Sequence, residues 1–452
     1  MRERGRKYML WMNYRKRLLP LCGRLGGGFL FLFPLFLIFL LAPCSSFAKK
    51  QKKEKEEKPK LEKMATLYKN ARNALKNQNG QDAARDALLG ALSRDLSNKQ
   101  RAKIYYTAAL LEESLNGVEN RKAYLKQACD TAKFFNKLRD MYGQLRLCDS
   151  VDVLPNAKGK LHPHYQKRTR MQRLQHRQNI IGGGKFFLAK KDYASAYPFL
   201  DLYCTYKDET QFSKKYKNQP DTIYPQAVVW ATLSAFQTNN YAGTVKHVDQ
   251  AIPFTDSITA AILQEYKVRS YGQLANDTAW LASLQEGVVK YPNHDWFFVQ
   301  LSDWCYNKRR FEVERKLADR LIALTGGKAI HYYSKSKSYL SEENFDACIA
   351  CADTCIMLDK NFVDAWYNKG IAYLNKAVIS QEVSSKDTKN PDYLTDKMRT
   401  QEFYRQARPC MEMVRKLQPD RQDRWASPLY RIYLNLNLGD EFNEIDRLLN
   451  PK

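Results

Sequence analysis

A recurrence every 34 residues constrains this chain more than any other feature. Phe345, in Glu343-Asn344-Phe345-Asp346-Ala347-Cys348, lies 34 positions after Phe311, in Arg310-Phe311-Glu312. Tyr271, Cys305, Tyr339 and Tyr373 follow one another at the same step. A fixed period of this length marks an array of small units, each with an apolar face that only its neighbours can cover. Within the units, apolar residues recur at helical spacing. The expectation is an all-α array of stacked helix pairs. Composition agrees: 44% of the 452 residues are hydrophobic, and 20 Gly with 16 Pro exclude collagen-like and proline-rich disordered classes.

The units carry further marks. Ala365-Trp366-Tyr367-Asn368-Lys369-Gly370-Ile371-Ala372-Tyr373 contains most of W-x2-L-G-x2-Y, with Lys369 where Leu is expected. Ala407, Met411 and Pro419 reproduce the A-x3-F and closing Pro of the second half, but about 25 residues late. The polar stretch at 380–400 therefore reads as an inserted loop. Other pairs are Ala261 to His294, ending in Tyr291-Pro292-Asn293, then Gln226 to Pro253, and Gln178 to Tyr206. This pattern resembles the tetratricopeptide repeat (TPR) family. The resemblance covers Gln178 to Pro419 well.

The resemblance implies a right-handed α-solenoid of helix-turn-helix repeats. Its concave surface is lined by the first helix of each pair, and it binds segments of other proteins. Mapped onto this chain, the groove candidates are Tyr333, Lys337, Leu340, Tyr367, Asn368, Ile371 and Leu374, with Phe298 and Leu301 nearer the core. Family members that clamp a C-terminal carboxylate use a Lys/Asn set. Only Asn368 matches it, and Tyr333 and Lys337 stand where its Lys and Asn would, so clamping is not expected. A basic, Tyr-rich groove would suit acidic or amphipathic segments.

Met64 to Leu147 also shows a 3.6-residue period. Ala71, Ala74 and Leu75 mark one helix, and Ala83, Ala84, Ala87, Leu88, Ala91 and Leu92 the next. Ile104, Tyr105, Ala108, Leu111 and Leu115 mark a third, with Tyr124, Ala128, Ala132 and Phe135 assigned to a fourth. Val151 to His164, with Leu154-Pro155-Asn156 and Pro163, reads as a break. The layout expected is a leader over 1–48, a charged tether over 49–63, helical hairpins over 64–150, a linker over 151–175 and a TPR array over 176–450.

The leader reading rests on charge order. Residues 1–60 hold 15 Lys/Arg against 4 Asp/Glu, whereas the rest of the chain holds 59 against 44. Basic residues precede the apolar run Phe29 to Leu41, which is followed by Ser46-Phe47-Ala48, a small-x-small site that places cleavage after Ala48. Leu41-Ala42-Pro43-Cys44 offers lipidation at Cys44 as an alternative, and the uncharged stretch around it offers a retained membrane tether. The expected location is outside the cytoplasm, in the periplasm or at the outer-membrane periphery.

No motif argues for catalysis, a metal or a cofactor. Gly182-Gly183-Gly184-Lys185 lacks the spacing of a phosphate loop. His162 and His164 sit in the proposed linker. Cys348, Cys351 and Cys355 share a helix face, but it is the packing face, so they read as small core residues. Cys129 and Cys148 form the favoured disulfide pairing. The expected function is a non-enzymatic interaction scaffold of the bacterial cell envelope, with other proteins as partners and no nucleic acid. The alternative is a helical repeat protein that uses its net charge of +26 to bind nucleic acid or an anionic surface.

Overall fold

The computed structural model describes residues 62–156, 158–384 and 387–450. The leader, the cleavage site at Ala48, Cys44 and nearly all of the tether lie outside the described residues. The described chain is a succession of nine helix pairs without strands. These are α1 (Met64–Asn77) with α2 (Gln81–Gly90), α3 (Asn98–Tyr124) with α4 (Thr131–Asp152), and α5 (Gln166–Ala189) with α6 (Tyr193–Thr205). Next come α7 (Tyr224–Gln237) with α8 (Tyr241–Ala251), α9 (Ser257–Gln273) with α10 (Asp277–Lys290), and α11 (Asp295–Asn307) with α12 (Phe311–Thr325). The last three are α13 (Ala329–Ser341) with α14 (Phe345–Leu358), α15 (Val363–Val383) with α16 (Tyr393–Leu417), and α17 (Gln422–Asn435) with α18 (Gly439–Leu449). Each helix packs on the next, and first helices also touch the first helix of the following pair, as α11 does α13 and α13 does α15. The fold is a stacked helix-turn-helix α-solenoid.

One local turn makes the hairpins. Gln78, Lys126, Lys191, Asn239, Ala275, Arg309, Glu343 and Asn437 all have φ between 52° and 62°, and each follows the first helix of a pair. A left-handed residue here ends the helix and lets the next amide bond back five residues. Asn276 N thus donates to Tyr271 O at 3.0 Å, Arg310 N to Cys305 O at 2.8 Å and Asn344 N to Tyr339 O at 3.0 Å. The 34-residue spacing of Tyr271, Cys305 and Tyr339 is therefore the spacing of one carbonyl acceptor. Where the residue after the left-handed one is Asp or Asn, its side chain then caps the second helix: Asp192, Asn240, Asn276 and Asn344 each accept from the amide three residues on.

Small residues set the depth of packing. A Cβ on Gly183 would lie 2.7 Å from Phe199 Cδ1, one on Gly184 2.8 Å from Leu200 Cδ2, one on Gly287 2.5 Å from Phe297 Cδ1 and one on Gly370 2.6 Å from Met411 Cε. Consecutive glycines in α5 are thus the seat on which α6 rests, with Phe135 of α4 closing over Gly182. Cys305, Cys348 and Cys355 are buried as well, and Cys355 stands two 34-residue steps after Gly287.

Three expectations about boundaries change. The segment at 151–175 is not a linker throughout: α4 runs to Asp152 and α5 starts at Gln166, and one apolar cluster includes Met141 and Leu145 of α4, Ile180 of α5 and Phe199 of α6. The Asp152 carboxylate accepts from the amides of His164 and Tyr165 at 3.0 and 2.7 Å, so the connection is tied down. The inserted loop expected at 380–400 is mostly helix. α15 and α16 both extend, with buried Ser380 and Thr400 sharing a 2.7 Å hydrogen bond across the pair. Only 384–392 lies between them, and none of its described residues takes the left-handed conformation. Finally, Tyr124 ends α3 rather than opening a fourth helix, which begins at Thr131 because Asp130 caps it through the amide of Lys133.

Candidate functional site: the first-helix face

The groove residues expected from sequence all sit on α13 and α15, and the stack itself uses them. Tyr333 packs its ring on Phe362, centroids 5.0 Å apart. Lys337 reaches Asp303 of α11 at 3.0 Å and Glu314 of α12 at 3.7 Å, beneath the ring of Tyr306. Tyr367 lies under the guanidinium of Arg424, 4.5 Å away, and Arg424 in turn pairs with Asp364 at 2.6 Å. Ile371 and Leu374 join the apolar cluster of α15 to α18, and Leu340 packs against Phe345, Cys348 and Ala372. Asn368 is buried and gives its amide to Ser336 Oγ at 3.0 Å. These seven side chains are brought together along two adjacent first helices, but Lys337 and Asn368 spend their polar groups between repeats and the rings of Tyr333 and Tyr367 are packed there. Lys337 in particular is neutralised, so this stretch is not the basic groove that sequence suggested.

Beneath Lys337 lies a buried carboxylate. Glu314 is fully buried and accepts from Ser302 Oγ at 2.6 Å and Ser334 Oγ at 2.7 Å, while its second oxygen has no partner. Burial pushes its carboxyl above the ordinary value despite Lys337 nearby.

A cluster of exposed positive charge lies toward the other end of the array. A cleft of about 820 Å³ opens between α3 and α5, with residues 213–216 as its third wall. Lys167 and Arg168 of α5 line one wall and Lys215 the third, all three exposed. Tyr106 and Leu110 of α3, Met171 of α5 and Tyr216 supply apolar surface, and Met171 is 56% exposed. Glu113 lies at the floor, held by His176 Nε2 at 2.7 Å and by Gln172 Nε2 at 2.6 Å. Among the described residues, Lys167, Arg168 and Lys215 are not paired with a carboxylate.

A charged clamp fixes the third wall. Arg173 of α5 forks onto Glu209, with Nε at 2.9 Å and Nη2 at 2.5 Å, and bonds Asp149 of α4 at 2.7 Å. Arg177, one turn on, bonds Asp221 at 2.6 Å, and Tyr203 OH donates to the same carboxylate at 2.7 Å. Burial alone would raise Asp221; Arg177 and Tyr203 hold its carboxyl below the ordinary value. The connection from Tyr206 to Ile223, long for a helix pair array, is thereby pinned on α5 at both ends. Sequence reasoning passed over this cleft because its walls come from three segments with no repeat mark. The Lys214-Lys215-Tyr216-Lys217 run beside a Gln/Arg-rich α5 was the available signal.

The buried thiols are chemically quiet. Cys129 is exposed and Cys148 buried, and both are free, so the disulfide expected between them is absent; Cys148 Sγ points instead at Ala102 O, 3.3 Å away. Burial pushes Cys148, Cys204, Cys348 and Cys355 up to about 12. His162 and His164 are exposed. Among the described residues no three His, Cys, Asp or Glu side chains are placed to hold a metal ion, and no helix is long and apolar enough to cross a membrane.

No family model matches the chain, and no curated protein matches it. Solved structures do. The C-terminal part of a TPR repeat-containing protein from Cytophaga hutchinsonii is 11% identical over 60% of this chain and 95% of its own, with a TM-score of 0.38. A TPR repeats protein from Bacteroides fragilis is 14% identical over 60% of this chain and 98% of its own, at 0.29. YrrB, described as a TPR protein with an unusual peptide-binding site, is 14% identical over 47% of this chain and 93% of its own, at 0.32.

Proposed function

We propose that this chain is a non-enzymatic scaffold of the bacterial cell envelope, delivered there by its N-terminal leader, that holds segments of other proteins along its first-helix face. The observation that carries the reading is the direct stacking of successive first helices, α11 on α13, α13 on α15 and α15 on α17. Such a stack makes one unbroken surface long enough for an extended or helical segment to cross several repeats. The order of basic residues, apolar run and Ala48 supports export.

Cross-linking of the full-length chain in intact envelopes, followed by mass spectrometry, tests both parts. Cross-links to partners from first-helix lysines such as Lys103, Lys185 and Lys376 are expected, together with a mature N-terminus at Lys49. Partners joined only through second-helix lysines such as Lys316 and Lys416, or a chain confined to the cytoplasm, would overturn it.

A further inference from the structure

We propose that the cleft between α3 and α5 binds an acidic, amphipathic peptide segment of a partner protein. The proposal rests on the scaffold reading and adds a place and a ligand chemistry to it.

Three features select the ligand. The first is charge. Lys167, Arg168 and Lys215 stand exposed on two walls of the cleft without carboxylate partners among the described residues, whereas Lys337 on α13 is already matched by Asp303 and Glu314. Unmatched cations around a concave site favour carboxylates or phosphates on the incoming chain. The second is apolar surface. Met171 of α5 is largely exposed and lines the cleft together with Leu110 of α3, so the ligand must also carry apolar side chains. The third is the floor. Glu113 is a carboxylate that burial would raise but that His176 and Gln172 hold below its ordinary value, so it stays ionised and accepts hydrogen bonds. A peptide backbone offers N–H donors to such a floor. A phosphodiester backbone offers only acceptors and would be repelled by Glu113. The cleft thus wants anions at its walls, donors at its base and apolar side chains between, which a run of Asp/Glu alternating with Leu/Phe supplies.

The wall that closes the cleft is built in advance. Arg173 and Arg177 hold 207–221 against α5 through Glu209 and Asp221, so the cleft exists before a ligand arrives and little ordering opposes binding.

The test uses the full-length chain and three fluorescein-labelled probes: a 12-residue peptide alternating Asp/Glu with Leu/Phe, a 12-residue polyglutamate, and a 12-nucleotide oligothymidylate. Fluorescence anisotropy is read at low and high salt. The alternating peptide is expected to bind, polyglutamate more weakly, and the oligonucleotide weakest. The triple variant Lys167→Ser/Arg168→Ser/Lys215→Ser should weaken the alternating peptide about tenfold and flatten its salt dependence. Met171→Ser should weaken the alternating peptide but leave polyglutamate unchanged. All four positions are exposed, and circular dichroism checks that the fold is retained. Equal binding by the parent and the triple variant overturns the cleft proposal. So does oligonucleotide binding that exceeds that of the peptide, which would make this a nucleic-acid site. If the peptide fails here while envelope cross-links still map to first helices, the cleft falls and the scaffold reading stands.

Discussion

Glycine acts in opposite ways at two helical positions. Gly287 in α10 has Phe297 of the next hairpin where its Cβ would be, whereas Gly117 in α3 has open space. Gly287→Ala should therefore lower stability by about 1–3 kcal/mol through overpacking. Gly117→Ala should raise it by about 1 kcal/mol through helix propensity alone. Urea denaturation of the two variants reads both signs. Two carboxylates give opposite pH effects by the same logic. Glu286 is held at about 2: burial opposes its charge, but Lys290, Lys267 and Gln264 outweigh it. Its ordinary value lies above its folded one, so it contributes stability at neutral pH that is lost as pH falls from the ordinary carboxylate range toward 2. Glu314 is raised by burial, so the folded chain binds its proton more tightly and stability falls as pH rises above the ordinary range. Thermal melts across pH 2–7 should show Glu286→Gln removing part of the acid loss. They should also show Glu314→Gln gaining on the parent as pH increases.

Between helices, the recurring turn is the unit of construction. Ala275 takes φ 53° in it, a conformation that disfavours any residue with a Cβ. Ala275→Gly should stabilise by about 1 kcal/mol, visible as a higher urea midpoint without a changed slope. Much of this architecture was legible in the chain. Period and polarity gave the hairpins from Gln178 onward. The groove was not legible, for a physical reason. Tyr333, Lys337 and Tyr367 sit at the positions that resemblance assigns to ligand contact. Whether such a side chain faces a ligand or a neighbour depends on Asp303, Phe362 and Arg424, which lie in adjacent elements up to 57 residues away in sequence, as from Tyr367 to Arg424. The insertion misled for a similar reason. Ser380 and Thr400 look like loop residues until they face each other across two lengthened helices.

At the scale of the array, the hairpins expected to be separate N-terminal and C-terminal blocks share one core. Tyr142, Met141 and Leu145 of α4 pack with Ile180, Phe199 and Tyr203, and Tyr142 OH donates to Arg173 O. A fragment spanning 62–156 should therefore not fold cooperatively by itself. It should bind a hydrophobic dye, and lose that binding when mixed with a fragment spanning 162–450 that restores the contact; an independently folded 62–156 would refute the shared core. The same stacking logic has a genetic side. Asp295, Ala329 and Val363 open three successive first helices at equal 34-residue steps. Excising or duplicating 295–328 rejoins the chain in phase, with the acceptor carbonyl of Tyr339 and the left-handed turn at Glu343 where those of Cys305 and Arg309 stood. Over that interval the molecule is able to grow or shrink by whole hairpins, and its reach along a partner would change in steps rather than gradually.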